Sequence, residues 1–122
     1  MSGKFVLKET SSGMKFDLKA GNGEVILSSQ VYSTIQACRK GVESVRANAK
    51  DGAIEDQTLE AYIPEKHPKF ELYMDKAGDF RFRLKAKNGQ IVGTSEAYKS
   101  KASCLKGIES VRNNAPEAPL KE

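Results

Sequence analysis

An internal repeat limits what this chain can fold into more than any other feature. Phe16–Ala49 (FDLKAGNGEVILSSQVYSTIQACRKGVESVRANA) lies over Phe82–Ala115 (FRLKAKNGQIVGTSEAYKSKASCLKGIESVRNNA) at a constant offset of 66 residues. The two copies share an Asn-Gly pair, a Tyr, a Cys, a Lys-Gly and a Glu-Ser-Val-Arg run. A period of this size marks a duplicated structural unit. In a chain of 122 residues, units of about 50 residues bury too little surface to stand alone, so the two are expected to share one core.

Each unit reads as strands followed by a helix. Phe5–Glu9 and Phe70–Met74 open the units at an offset of 65, one less than the offset further on. The extra residue belongs in the turn between the first and second strands, because a one-residue slip inside a strand would flip every side chain to the other face. The second strands, Met14–Ala20 and Phe80–Ala86, alternate strictly. That alternation sends Met14, Phe16, Leu18 and Ala20 toward a core and Lys15, Asp17 and Lys19 outward. In the second unit the outward residues are Arg81, Arg83 and Lys85, a basic stripe.

Asn22-Gly23 and Asn88-Gly89 then predict hairpins with two-residue type I′ turns, in which both central residues take positive φ. This sets a register of Ala20 opposite Val25, Lys19 opposite Ile26 and Leu18 opposite Leu27. In the second unit it sets Ala86 opposite Ile91, Lys85 opposite Val92, Leu84 opposite Gly93 and Arg83 opposite Thr94.

Helices follow Tyr32 and Tyr98. Cys38, Gly41, Val42, Val45 and Ala49, like Cys104, Gly107, Ile108, Val111 and Ala115, recur at spacings of three and four and form one apolar stripe per helix. Gly costs about 1 kcal/mol against Ala inside a helix, so Gly41 and Gly107 point to a close packing contact. Ser33–Gln36 reads as a capping box, with the second helix capped at Ser100. Arg39, Lys40, Glu43 and Arg46 read as a solvated face.

Charge divides the chain. Asp51 to Glu65 holds five acids and no Lys or Arg, so the net +4 becomes +9 over the rest. The expected organisation is a first unit over 1–50, an acidic connector with a short strand near Ala53–Asp56 over 51–69, and a second unit over 70–122. Cys38 and Cys104 are expected as buried free thiols, since two thiols and the single His67 cannot supply four zinc ligands. The start of the chain does not read as a signal peptide and no apolar run is long enough to span a bilayer, which gives a cytoplasmic expectation.

At the Asn-Gly, Tyr, Lys-Gly and Glu-Ser-Val-Arg-x-Asn-Ala positions the sequence resembles the YegP-like family, small bacterial proteins built from a repeated domain of unknown function, here in duplicated form. The resemblance implies an α+β fold of two tandem β-β-β-α-β units. They would form one pseudo-twofold domain with a single antiparallel-rich sheet, two helices on one face, and last strands exchanged between units. Ala53–Asp56 would then pair with the second unit and Ala118–Leu120 with the first. The resemblance implies no activity, so it supplies no catalytic or binding residues.

Three function classes remain to weigh. For catalysis, His67 stands in the connector of one copy only, and neither Gly21-Asn22-Gly23 nor Lys40-Gly41 has phosphate-loop spacing. No enzyme, cofactor or metal site is expected. For nucleic acid or another polyanion, the candidate residues are Arg81, Arg83 and Lys85, aided by Lys15, Lys19 and Lys87, with Tyr73 able to stack on a base. For a protein-binding or structural module, including self-association, the candidate contacts are Val6, Ile26, Tyr73 and Val92 on the same outer face.

Overall fold

The computed structural model describes residues 3–122; Met1 and Ser2, at the start of the chain read above for a signal peptide, lie outside the described residues. The elements run β1 (Lys4–Thr10), β2 (Gly13–Lys19), β3 (Val25–Ser28), α1 (Ile35–Ala49), β4 (Ala53–Asp56), β5 (Lys69–Met74), β6 (Phe80–Lys85), β7 (Ile91–Thr94), α2 (Lys101–Asn114), a single 3₁₀ turn at Ala115–Glu117, and β8 (Leu120–Lys121). They form one eight-stranded sheet in the order β4-β5-β6-β7-β3-β2-β1-β8. The outermost pairs, β4 with β5 and β1 with β8, are parallel, and the rest are antiparallel.

The last strands are therefore exchanged as the resemblance implies. The returning strand is Leu120–Lys121 rather than Ala118–Leu120, because the 3₁₀ turn carries the chain to Ala118, and pairing begins where the Phe5 N–H donates to the Pro119 carbonyl at 2.8 Å. Each exchange is clamped by an arginine of the repeated Glu-Ser-Val-Arg run. Arg46 on α1 donates to the Ala118 carbonyl at 2.6 Å with its guanidinium over the Phe5 ring, and Arg112 on α2 donates to the Gly52 carbonyl with its guanidinium over Phe70. Arg46 thus departs from the solvated face expected of it. A guanidinium can lie on a ring and still donate sideways to a carbonyl.

At the Asn-Gly turns the expected type I′ geometry does not form. Gly23 and Gly89 have positive φ (88° and 84°), but among the described residues no non-glycine does, so Asn22 and Asn88 stay in the ordinary region. The Gly23 N–H donates to the Ala20 carbonyl and the Ala20 N–H to the Glu24 carbonyl, both at 2.9 Å, while the Asn22 side-chain oxygen accepts from the Glu24 N–H. A three-residue loop closed by a left-handed glycine fits this pattern. Pairing next to the turn is thus Lys19–Val25 and Lys85–Ile91. A bulge then restores the expected Leu18–Leu27, Leu84–Gly93 and Arg83–Thr94 pairs. Ile26 and Val92 are the extra residues of the two bulges, and both are buried members of the core rather than outer-face apolars.

That core is shared. α1 packs on β2 of its own unit and on β6 and β7 of the other, and α2 packs on β6 and β3. In each unit three aromatics line up under the helix. Phe5 meets Phe16 edge-on at 5.8 Å and Phe16 stacks with Tyr32 at 6.3 Å; Phe70, Phe82 and Tyr98 repeat this at 5.9 and 6.3 Å. The helical glycines answer to this stack. A Cβ on Gly41 would lie 2.4 Å from the Tyr32 hydroxyl, and one on Gly107 would lie 2.4 Å from that of Tyr98. The N-caps are Thr34, not Ser33, and Ser100, whose side chains accept from the Ala37 and Ser103 N–H groups at 3.1 Å. Tyr32 and Tyr98 are held to Met14 and Phe80 by antiparallel bridges, so two more residues are used before each helix can turn.

The units meet at β3 and β7 through one pair, Ser28 with Thr94, which are equivalent residues of the repeat. Beside this axis the symmetry breaks: Leu27 is buried against Gly93, where an added Cβ would fall 2.5 Å from the Leu27 Cγ.

Candidate functional site

Both helices lie on one face of the sheet, and the other face is open. On β5 and β6 the outward cross-strand pairs are Lys69–Lys85, Glu71–Arg83 and Tyr73–Arg81. Arg81, Arg83, Lys85 and Tyr73 are thus brought together as the alternation predicts, but they are not alone. Arg83 donates to Glu71 Oε1 at 2.6 Å and lays its guanidinium over the Tyr73 ring, 4.6 Å from the centroid. Lys85 and Lys69 both reach Glu71 Oε2 at 3.3 Å. Arg81 donates through Nε to Asp75 at 2.8 Å and through Nη1 to the Ser95 carbonyl. Burial alone would raise the Glu71 carboxyl, but hydrogen bonds from Arg83 and Lys85 outweigh it and hold the group ionised below its usual range.

Glu55 on β4 extends the network, opposite Glu71. It is 2% exposed and accepts from Lys69 Nζ at 2.7 Å, the Glu65 N–H at 2.7 Å and the Gln57 amide at 2.6 Å. Burial pushes this carboxyl up, yet those donors depress it further, to about 2. Through the Glu65 contact the acidic connector is tied to the sheet edge. Lys87 stands apart on the exposed second hairpin turn.

In the first unit the outward pairs are Lys4–Lys19, Val6–Asp17 and Lys8–Lys15. β8 adds Lys121 beside Val6. Asp17 points outward as predicted, yet it is 3% exposed, roofed by Lys8 at 2.7 Å and Lys15 at 3.7 Å and bonded by the Ser28 hydroxyl at 2.7 Å. Burial would raise its pKa; the bonds from Lys8 and Ser28 and the charge of Lys15 lower it overall. Lys4, Lys19 and Lys121 make no ion pair among the described residues. Lys4, Lys8 and Lys121 are absent from the sequence-level candidates. The alternation of β1 could have supplied the first two, whereas Lys121 depends on a parallel pairing between the two ends of the chain.

Other chemistry-bearing side chains lie elsewhere. His67 is exposed on the connector, beside Gly89. Cys38 and Cys104 are unpaired and fully buried under the helices; burial raises both thiols, Cys104 to about 11, so they are protonated at neutral pH. Where the units meet, a groove of about 380 Å³ opens, lined in part by Ser28, Gln30, Arg81, Thr94 and Ser95. No helix among the described residues is long and apolar enough to cross a membrane.

The family described as Domain of unknown function (DUF1508) matches the chain twice, over residues 10–56 and 75–122. Each match runs through a helix to the exchanged strand behind it. A UPF0339 protein encoded in the ptx operon 5′ region of Stutzerimonas stutzeri is 43% identical over 123 residues, covering all of this chain and 97% of that protein. A UPF0339 protein of Treponema denticola is 63% identical over 54 residues, which is 44% of this chain but 93% of its own length, so that relative is about one unit long. The solution NMR structure of YegP from E. coli, a protein of unknown function, superposes with a TM-score of 0.79 at 36% identity, covering 99% of this chain and 92% of that one. A Shewanella oneidensis UPF0339 protein solved the same way gives 0.78 at 38% identity, covering 99% and 91%. The chain belongs to the DUF1508 family, in the YegP-like form that carries the domain twice.

Proposed function

We propose that this protein is a non-catalytic binding module whose working surface is the open face of its sheet, and that its partner is a polyanion, nucleic acid foremost. One observation carries the reading: the outward positions of the strands hold nine Lys and Arg side chains against three carboxylates, Asp17, Glu55 and Glu71. A solvated antiparallel face needs polar groups but no such imbalance, and surplus cations are what phosphate contacts require. The absence of catalysis is supported by the state of the titratable groups on this face: its carboxylates are held ionised in bonds to Lys and Arg. A general acid or base works best with a pKa near the operating pH.

The test is fluorescence anisotropy of short single-stranded and duplex oligonucleotides against the purified protein at low and physiological salt. Binding that weakens with salt is the expected result; no binding at either salt overturns the polyanion reading. A second reading, a module for protein contacts, is supported by the exposed apolar residues of the connector, Leu59, Tyr62 and Ile63, the last 79% exposed. Anionic partners would then leave the protein's NMR spectrum unchanged, while Ile63→Asp would abolish capture of a protein partner.

A further inference from the structure

Within that polyanion reading, which this inference presupposes, the two halves of the open face are not equivalent, and the duplication supplies its own control. The cross-strand pair Lys69–Lys85 occupies the same place in the second unit as Lys4–Lys19 in the first. Two ammonium groups directly opposite each other on a sheet repel. In the second unit the repulsion is cancelled on the spot: Glu71 bonds both lysines, and Glu55 on the exchanged strand bonds Lys69. The registers place Val6 where Glu71 stands and Lys121 where Glu55 stands. At these two positions the first unit has an apolar residue and a further cation in place of two carboxylates.

We infer that the outer surface of β8-β1-β2 is the polyanion site, with Lys4, Lys19 and Lys121 as its uncompensated core and Lys8 and Lys15 beside them. The partner is a nucleic acid held by its phosphate backbone. The corresponding surface of the second unit, including Arg81, Arg83 and Lys85, is a self-neutralised structural network. Asp17 bridges Lys8 and Lys15, but Lys4 and Lys19 are left opposed with Lys121 nearby, a local cost to the fold of the kind that functional sites carry. Lys4 to Lys8 spans four residues of strand, about 13 Å, and the three strands add about 10 Å across, enough for several consecutive phosphates. No aromatic lies on this surface, since Lys8 stands where Tyr73 does in the second unit. Recognition is therefore by charge, without stacking or base readout.

The experiment is anisotropy of a fluorescent 20-nucleotide oligothymidine with the full chain and three variants: Lys4→Glu/Lys19→Glu, Arg81→Gln/Arg83→Gln, and Lys87→Glu. With three to five lysines engaged, the slope of log K against log salt should lie between about −2 and −3.5. Lys4→Glu/Lys19→Glu should weaken binding at least tenfold at low salt and flatten that slope, with the melting temperature unchanged or raised. The other two variants should change binding less than threefold; Lys87→Glu, in an exposed turn, keeps the comparison available if loss of both arginines disturbs the fold. Wild-type protein that binds no oligonucleotide overturns the polyanion reading and this inference with it. Binding that survives in Lys4→Glu/Lys19→Glu but is lost in either second-unit variant overturns the assignment to the first unit and leaves the broader reading standing.

Discussion

Replacing Gly41 by Ala should destabilise this protein even though it removes a helix-interior glycine. Intrinsic propensity alone favours the change by about 1 kcal/mol. The added methyl, however, would lie 2.4 Å from the Tyr32 hydroxyl, 2.8 Å from its Cζ and 3.0 Å from Phe16 Cε2. To restore ordinary contact the ring must withdraw by about 1 Å, as interiors pack without slack. It cannot do so by shifting its backbone, because Tyr32 and Met14 exchange two hydrogen bonds, at 2.6 and 2.8 Å. The ring must instead turn off Phe16, against which it lies nearly parallel at 6.3 Å. Overpacking of this kind costs about 1–3 kcal/mol, and the lost aromatic pair about 0.5–1.5 kcal/mol. Against the propensity gain we expect a net loss of about 0.5–3.5 kcal/mol, or about 2–14 °C in melting temperature for a domain of this size. In a Tyr32→Ala background only the Phe16 Cε2 contact at 3.0 Å remains, and the same substitution should be close to neutral or raise stability by up to about 1 kcal/mol. Denaturant melts of the four proteins in this double-mutant cycle measure the coupling. If Gly41→Ala stabilises the parent, or costs the same in both backgrounds, the account of the glycine as a seat for the tyrosine is wrong.

Three other outcomes follow from the same structure. Removing Arg112 should cost about 1–3 kcal/mol, as expected of a charged hydrogen bond, and should speed amide exchange selectively in β4; Arg46→Ala should do the same at β8, and Lys at either position should not rescue it. Glu55 has a depressed folded pKa of about 2 against a usual 4.5, so its contribution is complete above about pH 4.5 and lost as the pH falls toward 2; with screening on the water-facing side, Glu55→Gln should cost about 1–2 kcal/mol at pH 7 and flatten the acid limb of a stability–pH curve. Cys38 and Cys104 should resist thiol reagents at pH 8 in the native protein and react promptly in denaturant, since both are buried and protonated; rapid native labelling would contradict their placement.

Local periodicity made much of this fold legible. The alternation of β2 and β6 located the aromatic core, the helical stripes were legible apart from the buried Asn48, and the two glycines signalled a close approach whose partner, the tyrosine at the head of each helix, only the structure supplies. Asn-Gly was over-read. It marks a turn in both units, but the three-residue loop and the bulge behind it are selected by pairing further along, and that choice sends Ile26 and Val92 inward. Arg46 looked like surface because its partner, the Ala118 carbonyl, is 72 residues away. On the open face the basic stripe of β6 was visible, but its neutralising acids were not, because Glu71 and Glu55 come from neighbouring strands. In the first unit Lys15 and Lys19 were legible and the alternation of β1 held Lys4 and Lys8, but Lys121 was not, because strand order brings it beside Val6 from the far end of the chain.

The mismatch of Leu27 and Gly93 decides which units can pair. In an assembly of two separate, identical units, both sides of the axis must carry the same residue: two leucines would collide where Leu27 now fills the available space, and two glycines would leave a hole. Carrying both units in one sequence lets one side become large while the other becomes small. A copy of the first unit paired with itself would set Leu27 against Leu27, and a copy of the second would set Gly93 against Gly93, so neither half fits a copy of itself as closely as it fits its neighbour.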